Sequence, residues 1–356
     1  MSYSMKHAHL YVFGIVAAVL CAYAYFELWH QPDSAEKFEA EKKVLSFKPD
    51  DVQKLVIQAS SGKIVLARNP GKKTWHLEEP VQAPAIESMV RVALEELSSA
   101  EKLSILATQK DAHFEPDLTR FGLNPGALRI EVRTPQKLYL LDMGNPTPMP
   151  GSSYARVGSG RNGEESQIVV IPSSMTNLLS KPAYEWRDKR ALFFEVHDVQ
   201  RIVLKTPSRE IELKRNKNLW EMLRPLKRPV DAVFISGLLE ELYMLQIKDF
   251  VADRIDPLTL ANHGLAPAAY TVEIETDDEK EKLLFGGQVP DRQDQIFATH
   301  TTYSSLFILD QKILAALDES ASKILNPPAP AAGASQPASD SVHQEIRPAI
   351  RPAKAP

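Results

Sequence analysis

The sequence predicts an α+β fold made of two tandem homologous repeats, each an antiparallel sheet packed with one or two helices. Three observations predict it: one stretch of sequence occurs twice, strand-like segments follow one another through short loops, and each series of segments contains a clear amphipathic helix. We also expect one N-terminal transmembrane helix and a disordered C-terminal tail.

The duplication is clearest where residues 51–69 align without a gap with residues 198–216. Nine of these nineteen positions are identical, against about one expected by chance. Further matches follow in the same order: Trp75 and Trp220, Pro80 and Pro225, Pro84 and Pro229, Leu-Glu-Glu-Leu at 94–97 and 239–242, Gly-Leu-x-Pro at 122–125 and 264–267, and Gly144 and Gly286. The first repeat is therefore expected at residues 47–192 and the second at residues 193–325.

Bulk composition limits the classes of protein that fit. The chain has 356 residues, is 44% hydrophobic and 25% charged, and has a formal net charge of -4. These values are typical of folded globular domains and give no electrostatic reason to expect nucleic acid. Cys21 is the only cysteine, so the sequence excludes an intrachain disulfide and a thiolate metal cluster.

An N-terminal segment has the properties of a membrane span. Residues 8–26 contain no formally charged side chain and, as a helix, are long enough to cross the hydrocarbon core of a bilayer. Tyr11 near one end and Trp29 near the other are placed where aromatic rings favour the lipid headgroups. Residues 8–29 are therefore predicted to be an uncleaved signal anchor.

Charges on either side of the anchor set its orientation. One lysine precedes it and several acidic residues follow it, which places residues 1–7 in the cytoplasm and the bulk of the chain on the other side of the membrane. Residues 30–46 are expected to form a polar stalk. A cleaved signal peptide is the alternative, because Ala22-Tyr23-Ala24 fits a small-x-small cleavage pattern. Lipidation of Cys21 is not expected, because the bulky Leu20 precedes it.

Each repeat opens with three predicted strands, because β-branched residues and alternating apolar residues are typical of strands. They are expected at residues 52–58, around 64–66 and from 75 in the first repeat, and at residues 199–205, around 211–213 and from 220 in the second. Two prolines are then expected to end the sheet pairing and to lead into a helix, with Asp231 as the N-cap in the second copy.

The predicted helices have apolar residues three or four positions apart, which places them on one face. These residues are Ile86, Val90, Ala93, Leu94 and Leu97 in the first repeat and Ile235, Leu238, Leu239 and Leu242 in the second. Four more strands are expected at residues 127–133, 137–143, 154–157 and 167–171, and at 270–276, 282–285, 295–300 and 306–309. Short helices at residues 173–180 and 311–324 close the copies, and residues 326–356, rich in proline and alanine, form the disordered tail.

No motif in the sequence indicates a specific chemistry. Residues 158–163 match G-x-G-x-x-G, but a strand rather than a helix is expected to follow, so a glycine-rich hairpin loop is the better interpretation. The nine histidines show no spacing typical of a metal site. Ser152 and Ser153 lack the second glycine of a nucleophile elbow. We therefore expect neither a cofactor, nor a metal, nor enzymatic activity.

The segment that joins the repeats is the one candidate for a binding surface. Tyr184, Trp186, Arg187, Asp188 and Lys189 combine two aromatic rings with charges of both signs. An exposed run of this kind could bind a partner. The simpler interpretation is a charged linker in which Trp186 is wedged between the domains.

Several of these features together resemble the bacterial family named domain of unknown function 4340. They are the N-terminal anchor, Trp75 with Pro80 and Pro84, the two Gly-Leu-x-Pro elements, Gly144, and the Trp-Arg-Asp-Lys stretch at 186–189. The resemblance covers about residues 47–326. It implies an accessory role at the inner membrane, beside ABC-type export systems, and it supplies no catalytic residues. His263 departs from the pattern, because an aromatic residue normally precedes the glycine.

Three hypotheses for function follow. The first is a non-enzymatic, membrane-anchored periplasmic protein that binds another envelope protein, such as an ABC transporter subunit. The second is a binding module for a polysaccharide or a lipid, with aromatic residues such as Trp186, Tyr184 or Tyr154 in a groove. The third, an enzyme, would require His, Asp or Ser side chains to converge in a cleft.

Overall fold

The computed structural model describes residues 41–71, 73–108, 118–159, 165–217 and 219–327, and the single position 19. Within these ranges, no helix combines the length and the apolar character that crossing a bilayer requires. The predicted cytoplasmic residues 1–7, nearly all of the predicted anchor, most of the stalk and the tail from residue 328 lie outside the described residues. The chain divides into two compact units, Met1–Arg190 and Ala191–Pro356.

Each unit contains one nine-stranded sheet in which every neighbouring pair of strands is antiparallel. In the first unit the strands are β1 (Lys54–Ala59), β2 (Gly62–Arg68), β3 (Trp75–Glu79), β4 (Ala83–Pro84), β5 (Ser104–Thr108), β6 (Leu128–Arg133), β7 (Leu138–Pro146), β8 (Ser152–Ser159) and β9 (Glu165–Pro172). In the second they are β10 (Arg201–Thr206), β11 (Arg209–Asn216), β12 (Leu219–Arg224), β13 (Arg228–Val230), β14 (Asp249–Ala252), β15 (Tyr270–Glu275), β16 (Lys280–Val289), β17 (Arg292–His300) and β18 (Leu306–Asp310).

The two sheets have the same strand order. The first runs β4-β3-β2-β1-β6-β7-β8-β9-β5, and the second is this order with nine added to every strand number. This agreement, together with the helices, confirms the predicted α+β class and the repeat of one folding unit.

Each unit also contains helices, and those that have buried residues pack them into the core on one face of the sheet. In the first unit they are α1 (Glu87–Ser99), α2 (Ser174–Leu179) and α3 (Ala183–Trp186), and in the second α4 (Ala232–Tyr243), α5 (Pro257–Asn262) and α6 (Lys312–Leu325). The predicted apolar positions of α1 and α4 are buried, apart from the half-buried Ile86 at the start of α1. Asp231 caps α4 as predicted, accepting a hydrogen bond from the backbone N–H of Val233. We call this side of each sheet its inner face and the other side its outer face.

A short segment before the first strand belongs to each core. Val44 and Leu45 are 2% and 1% exposed and pack in the first core, as Ala191 and Leu192, each 1% exposed, do in the second. The prediction that residues 44–45 belong to a polar stalk is therefore wrong. Two apolar residues were too few to show a period in the sequence.

Other corrections concern the sheet edges. Pro84 pairs with His76 in β4, and Pro229 pairs with Glu221 in β13, so these prolines do not end the sheet pairing. They occupy edge strands, where a missing N–H leaves no gap in the ladder. The opposite edges, β5 and β14, and the helix α5 were not predicted, because each is short and lacks a regular apolar alternation.

Candidate functional site

The predicted surface is partly interior: two of its five residues, Trp186 and Arg187, are buried, whereas Asp188 and Lys189 are half-buried and Tyr184 is exposed. Trp186 is 0% exposed and belongs to the core of the first unit, and Arg187 is 5% exposed. The indole Nε1–H of Trp186 donates to a backbone carbonyl five residues earlier, at 3.3 Å. These two residues are therefore not exposed, and of the two interpretations the one in which Trp186 is buried agrees with its position. Tyr184 is 40% exposed, and Lys189 Nζ lies 4.5 Å from the centroid of its ring.

Backbone hydrogen bonds hold this run against the first unit. The N–H of Ile86 donates to the carbonyl of Trp186, and the N–H of Asp188 donates to the carbonyl of Pro84, both at 2.9 Å. The Asp188 carboxylate accepts from the guanidinium of Arg190 at 2.7 and 3.0 Å. The charge of Asp188 is thus paired locally, with Arg190.

The G-x-G-x-x-G match at 158–163 lies in a hairpin between β8 and β9. Ser159 and Glu165 are antiparallel partners at its base, while residues 160–164 lie outside the described residues. No helix follows, so the arrangement that lets such a motif hold a pyrophosphate is not formed. The predicted hairpin is confirmed.

The structure brings together a charged cluster that the sequence analysis missed. Arg129 on β6, Asp142 on β7 and Arg156 on β8 are direct cross-strand neighbours on the outer face of the first sheet. Asp142 is 5% exposed. Its carboxylate accepts from Arg129 at 2.6 and 3.2 Å and from Arg156 at 2.5 and 2.9 Å. We call these three residues the arginine triad.

Contacts within the triad shift the pKa values of Asp142 and Arg129. Burial raises the pKa of Asp142, but hydrogen bonds from Arg129 and Arg156, together with their positive charges, outweigh burial and hold that pKa below its usual value. The hydrogen bond to Asp142 in turn raises the pKa of Arg129. Asp142 is therefore an anion at neutral pH, and the triad has a net charge of one positive unit.

Replacing Asp142 with asparagine is expected to destabilise the first unit by about 2 kcal/mol at neutral pH. A carboxylate with a lowered folded pKa contributes stability above its unfolded pKa and loses it as the pH falls through the folded value. The difference between wild type and D142N should therefore shrink below about pH 4. Denaturant titrations over a pH series measure this difference, and a gap that stays constant into acid would contradict the assignment.

An aromatic pair lies beside the triad on the outer face. The rings of Phe121 and Tyr154 meet edge to face, with centroids 5.0 Å apart, and both residues are half-buried. Tyr154 is two positions from Arg156 on β8, so both side chains lie on the same face. Gly144 makes room for this arrangement, because a Cβ there would lie 2.1 Å from the carbonyl oxygen of Phe121.

The second unit repeats this aromatic pair. His263 and Phe297 meet edge to face with centroids 4.4 Å apart, and a Cβ on Gly286 would lie 2.3 Å from the carbonyl oxygen of His263. The departure at His263 thus keeps the packing role of Phe121. The Gly-Leu-x-Pro segment and the later glycine, which are separated in sequence, meet in both units.

The triad, in contrast, is not repeated. The same register in the second sheet joins Thr271, Leu284 and Thr299. None of the three is charged. A charged cluster at this register is therefore a property of the first unit, while in the second unit Arg201 and Arg224 pair with Glu212 at 2.9 Å at another register, on β10, β11 and β12.

A buried ionisable pair distinguishes the second unit. Glu281 and His300 are 6% and 2% exposed, with 3.6 Å between Glu281 Oε2 and His300 Nε2. Glu281 also accepts the backbone N–H of Phe193 at 2.6 Å, so it fastens the start of the unit to the sheet. In the part of the chain that the structure describes, no group of three or more His, Cys, Asp or Glu residues could hold a metal ion.

The β5 edge of the first sheet carries exposed apolar side chains. Leu103, Ile105 and Leu106, at or within β5, are 51%, 53% and 47% exposed. Leu106 is the extra residue of a bulge where β5 pairs with β9. In β14 the bulge residue is Val251, 47% exposed, but charged Lys248 and Asp249 take the positions of Leu103 and Ser104. We call Leu103, Ile105 and Leu106 the β5 patch.

Comparison with known proteins gives one family. The model for a domain of unknown function, DUF4340, matches residues 75–263 and, in a second segment, 220–327. No curated protein and no solved structure matches the chain. The two matched segments together cover more than half of the chain. They include the second copies of the repeated elements, namely Trp220, Gly-Leu-x-Pro at 264–267 and Gly286. The chain belongs to the DUF4340 family.

Proposed function

We propose that the protein is a non-enzymatic, single-pass inner-membrane protein whose two α+β units lie in the periplasm and bind a subunit of an ABC-type transport system. The β5 patch is the observation that supports a protein partner. The anchor rests on the uncharged N-terminal segment, and the choice of an ABC transporter rests on the family resemblance.

The β5 patch has the character of a protein-binding surface. Three large apolar side chains lie within four consecutive residues, each about half exposed, and such clusters on soluble units mark interaction sites. Burying their remaining surface against a partner would contribute about 1 kcal/mol each. Ser104, Ile105 and Leu106 have no charge to desolvate.

The bulge defines how the partner binds. A bulge interrupts the regular ladder and protects an edge strand from further strand pairing. The partner therefore contacts the side chains of Leu103, Ile105 and Leu106 and does not extend the sheet. Its surface is apolar to match them.

Changing Leu106 to aspartate is expected to abolish capture of the transporter subunit, because the partner would have to bury a charge. The full-length protein, with a C-terminal tag, is crosslinked in spheroplasts with a membrane-impermeant reagent and purified. Val251→Asp is the matched control, because Val251 is the equivalent bulge residue with the same exposure. Thermal melts check that both variants fold.

The possible results separate the parts of the proposal. Loss of one transporter subunit in L106D but not in V251D supports it. Equal capture by wild type and L106D contradicts the β5 patch as the binding surface. If a membrane-permeant reagent crosslinks the wild type and the impermeant reagent does not, the periplasmic location is contradicted.

A further inference from the structure

We propose that the outer face of the first unit binds an acidic saccharide, with Arg129 and Arg156 contacting its carboxylate and Tyr154 contacting a sugar ring. This proposal is independent of the protein partner at the β5 patch. It rests on the geometry of the arginine triad, on the aromatic pair beside it, and on the uncharged residues that fill the same register in the second unit.

The triad leaves guanidinium donors free for a ligand. The Asp142 carboxylate takes the Nε and one Nη of each arginine, which fixes the planes of both guanidinium groups. The remaining N–H groups of each fork are not used by Asp142, and the side chains of Arg129 and Arg156 are 47% and 32% exposed. Two oriented forks with a net positive charge match a carboxylate, which accepts parallel N–H bonds in one plane.

The aromatic pair gives the site a second kind of contact. Tyr154 follows Arg156 at the spacing that places both on one face of β8. Phe121 packs against its ring edge to face and holds it. An aromatic body with a polar hydroxyl beside two guanidinium groups suits a sugar ring, which combines apolar C–H faces with hydroxyl groups. A bare inorganic anion would make no use of it.

The fold does not need the triad. Thr271, Leu284 and Thr299 fill the same register in the second sheet, where the same strand order forms without these charges. A buried ion pair is often no more stabilising than apolar residues of similar size. In the second unit Arg201 and Arg224 also converge on one carboxylate, that of Glu212, each at 2.9 Å, but on β10, β11 and β12 and not beside Phe297 on β17. Among the described residues, only the first unit places two arginines and their carboxylate next to the repeated aromatic pair.

The test measures binding of trigalacturonate, a carboxylated oligosaccharide, to the full-length protein in detergent by titration calorimetry. Arg129→Gln and Arg156→Gln are each expected to weaken binding about tenfold or more, because each removes charge-assisted hydrogen bonds. Tyr154→Leu, which keeps an apolar contact with Phe121, should weaken it several-fold. The matched control is Arg201→Gln in the second unit, where Arg201 pairs with Glu212 at 2.9 Å and is 27% exposed.

Two further ligands complete the design. Maltotriose, a neutral saccharide of the same length, should not bind, and glycerol 3-phosphate, which represents a lipid headgroup, should bind more weakly than trigalacturonate. The proposal is overturned if the wild type does not bind trigalacturonate, if R201Q weakens binding as much as R156Q, or if Y154L has no effect. Tighter binding of glycerol 3-phosphate with the same arginine dependence would overturn the choice of a saccharide.

Discussion

Replacing Trp186 with alanine is expected to lower the free energy of unfolding of the first unit by about 3–5 kcal/mol. Trp186 is fully buried among the residues of the first core, so its removal leaves a large cavity and takes away apolar contacts. It also removes the hydrogen bond from the indole N–H to the carbonyl of Lys181. A loss of this size is a large fraction of the free energy of unfolding of a typical domain, which is about 5–15 kcal/mol.

The measurement must separate the two units, because a chain of two units need not unfold in one step. Hydrogen exchange of amides in β1 and β6 reports the first unit, and exchange in β10 and β15 reports the second. W186A should speed exchange in the first pair of strands only. Tyr184→Ala is the matched control, since Tyr184 lies two residues away and is 40% exposed, and it should change exchange very little.

This pair of variants also tests the binding surface predicted from the sequence. If the run at residues 184–189 bound a partner, Y184A would reduce partner capture while leaving exchange unchanged. If the run is structural, W186A alone has an effect, and the effect is on stability. An exchange pattern in W186A like that of the wild type would contradict the core role of Trp186.

The sequence predicted those parts of the fold that bury one face. The β-branched and apolar residues of β1 and the periodicity of α1 follow from burial against the same core, and both elements were found within a few residues of their predicted bounds. The edge strand β5 was missed, because it is largely exposed and its apolar residues do not alternate. The sequence left two interpretations of Trp186 open, because five charged residues stand close to it, and only tertiary hydrogen bonds show that the run folds back onto the first unit.

The arginine triad could not be predicted as a site from sequence. Arg129, Asp142 and Arg156 are 13 and 14 positions apart, and only the strand register joins them. One signal was present, however. Asp142 stands between the apolar Leu141 and Met143 near the end of a predicted strand, and a charged residue there needs a partner on the neighbouring strands.

The second large effect is expected at Gly144, where alanine should destabilise the first unit by about 3 kcal/mol. A Cβ there would lie 2.1 Å from the carbonyl oxygen of Phe121, which also accepts the N–H of Asn145 at 2.8 Å. Because the obstacle is backbone, the Gly-Leu-Asn-Pro segment would have to move away from β7. That movement would break the hydrogen bond and separate Phe121 from Tyr154.

The control for Gly144 is Gly237, which lies within α4 and would have no atom within 4 Å of an added Cβ. Gly237→Ala should be neutral or stabilising by up to about 1 kcal/mol, because alanine favours a helix. Denaturant unfolding, with hydrogen exchange as the readout, measures the free energy of unfolding of both variants. A Gly144→Ala protein as stable as the wild type would show that the segment can shift without cost, and it would remove the packing explanation for the glycine that both units share. A second result would link this glycine to the proposed saccharide site. If G144A is destabilised and loses trigalacturonate binding, whereas R201Q keeps it, the close approach of Gly144 to Phe121 also positions Phe121 and Tyr154 for the saccharide.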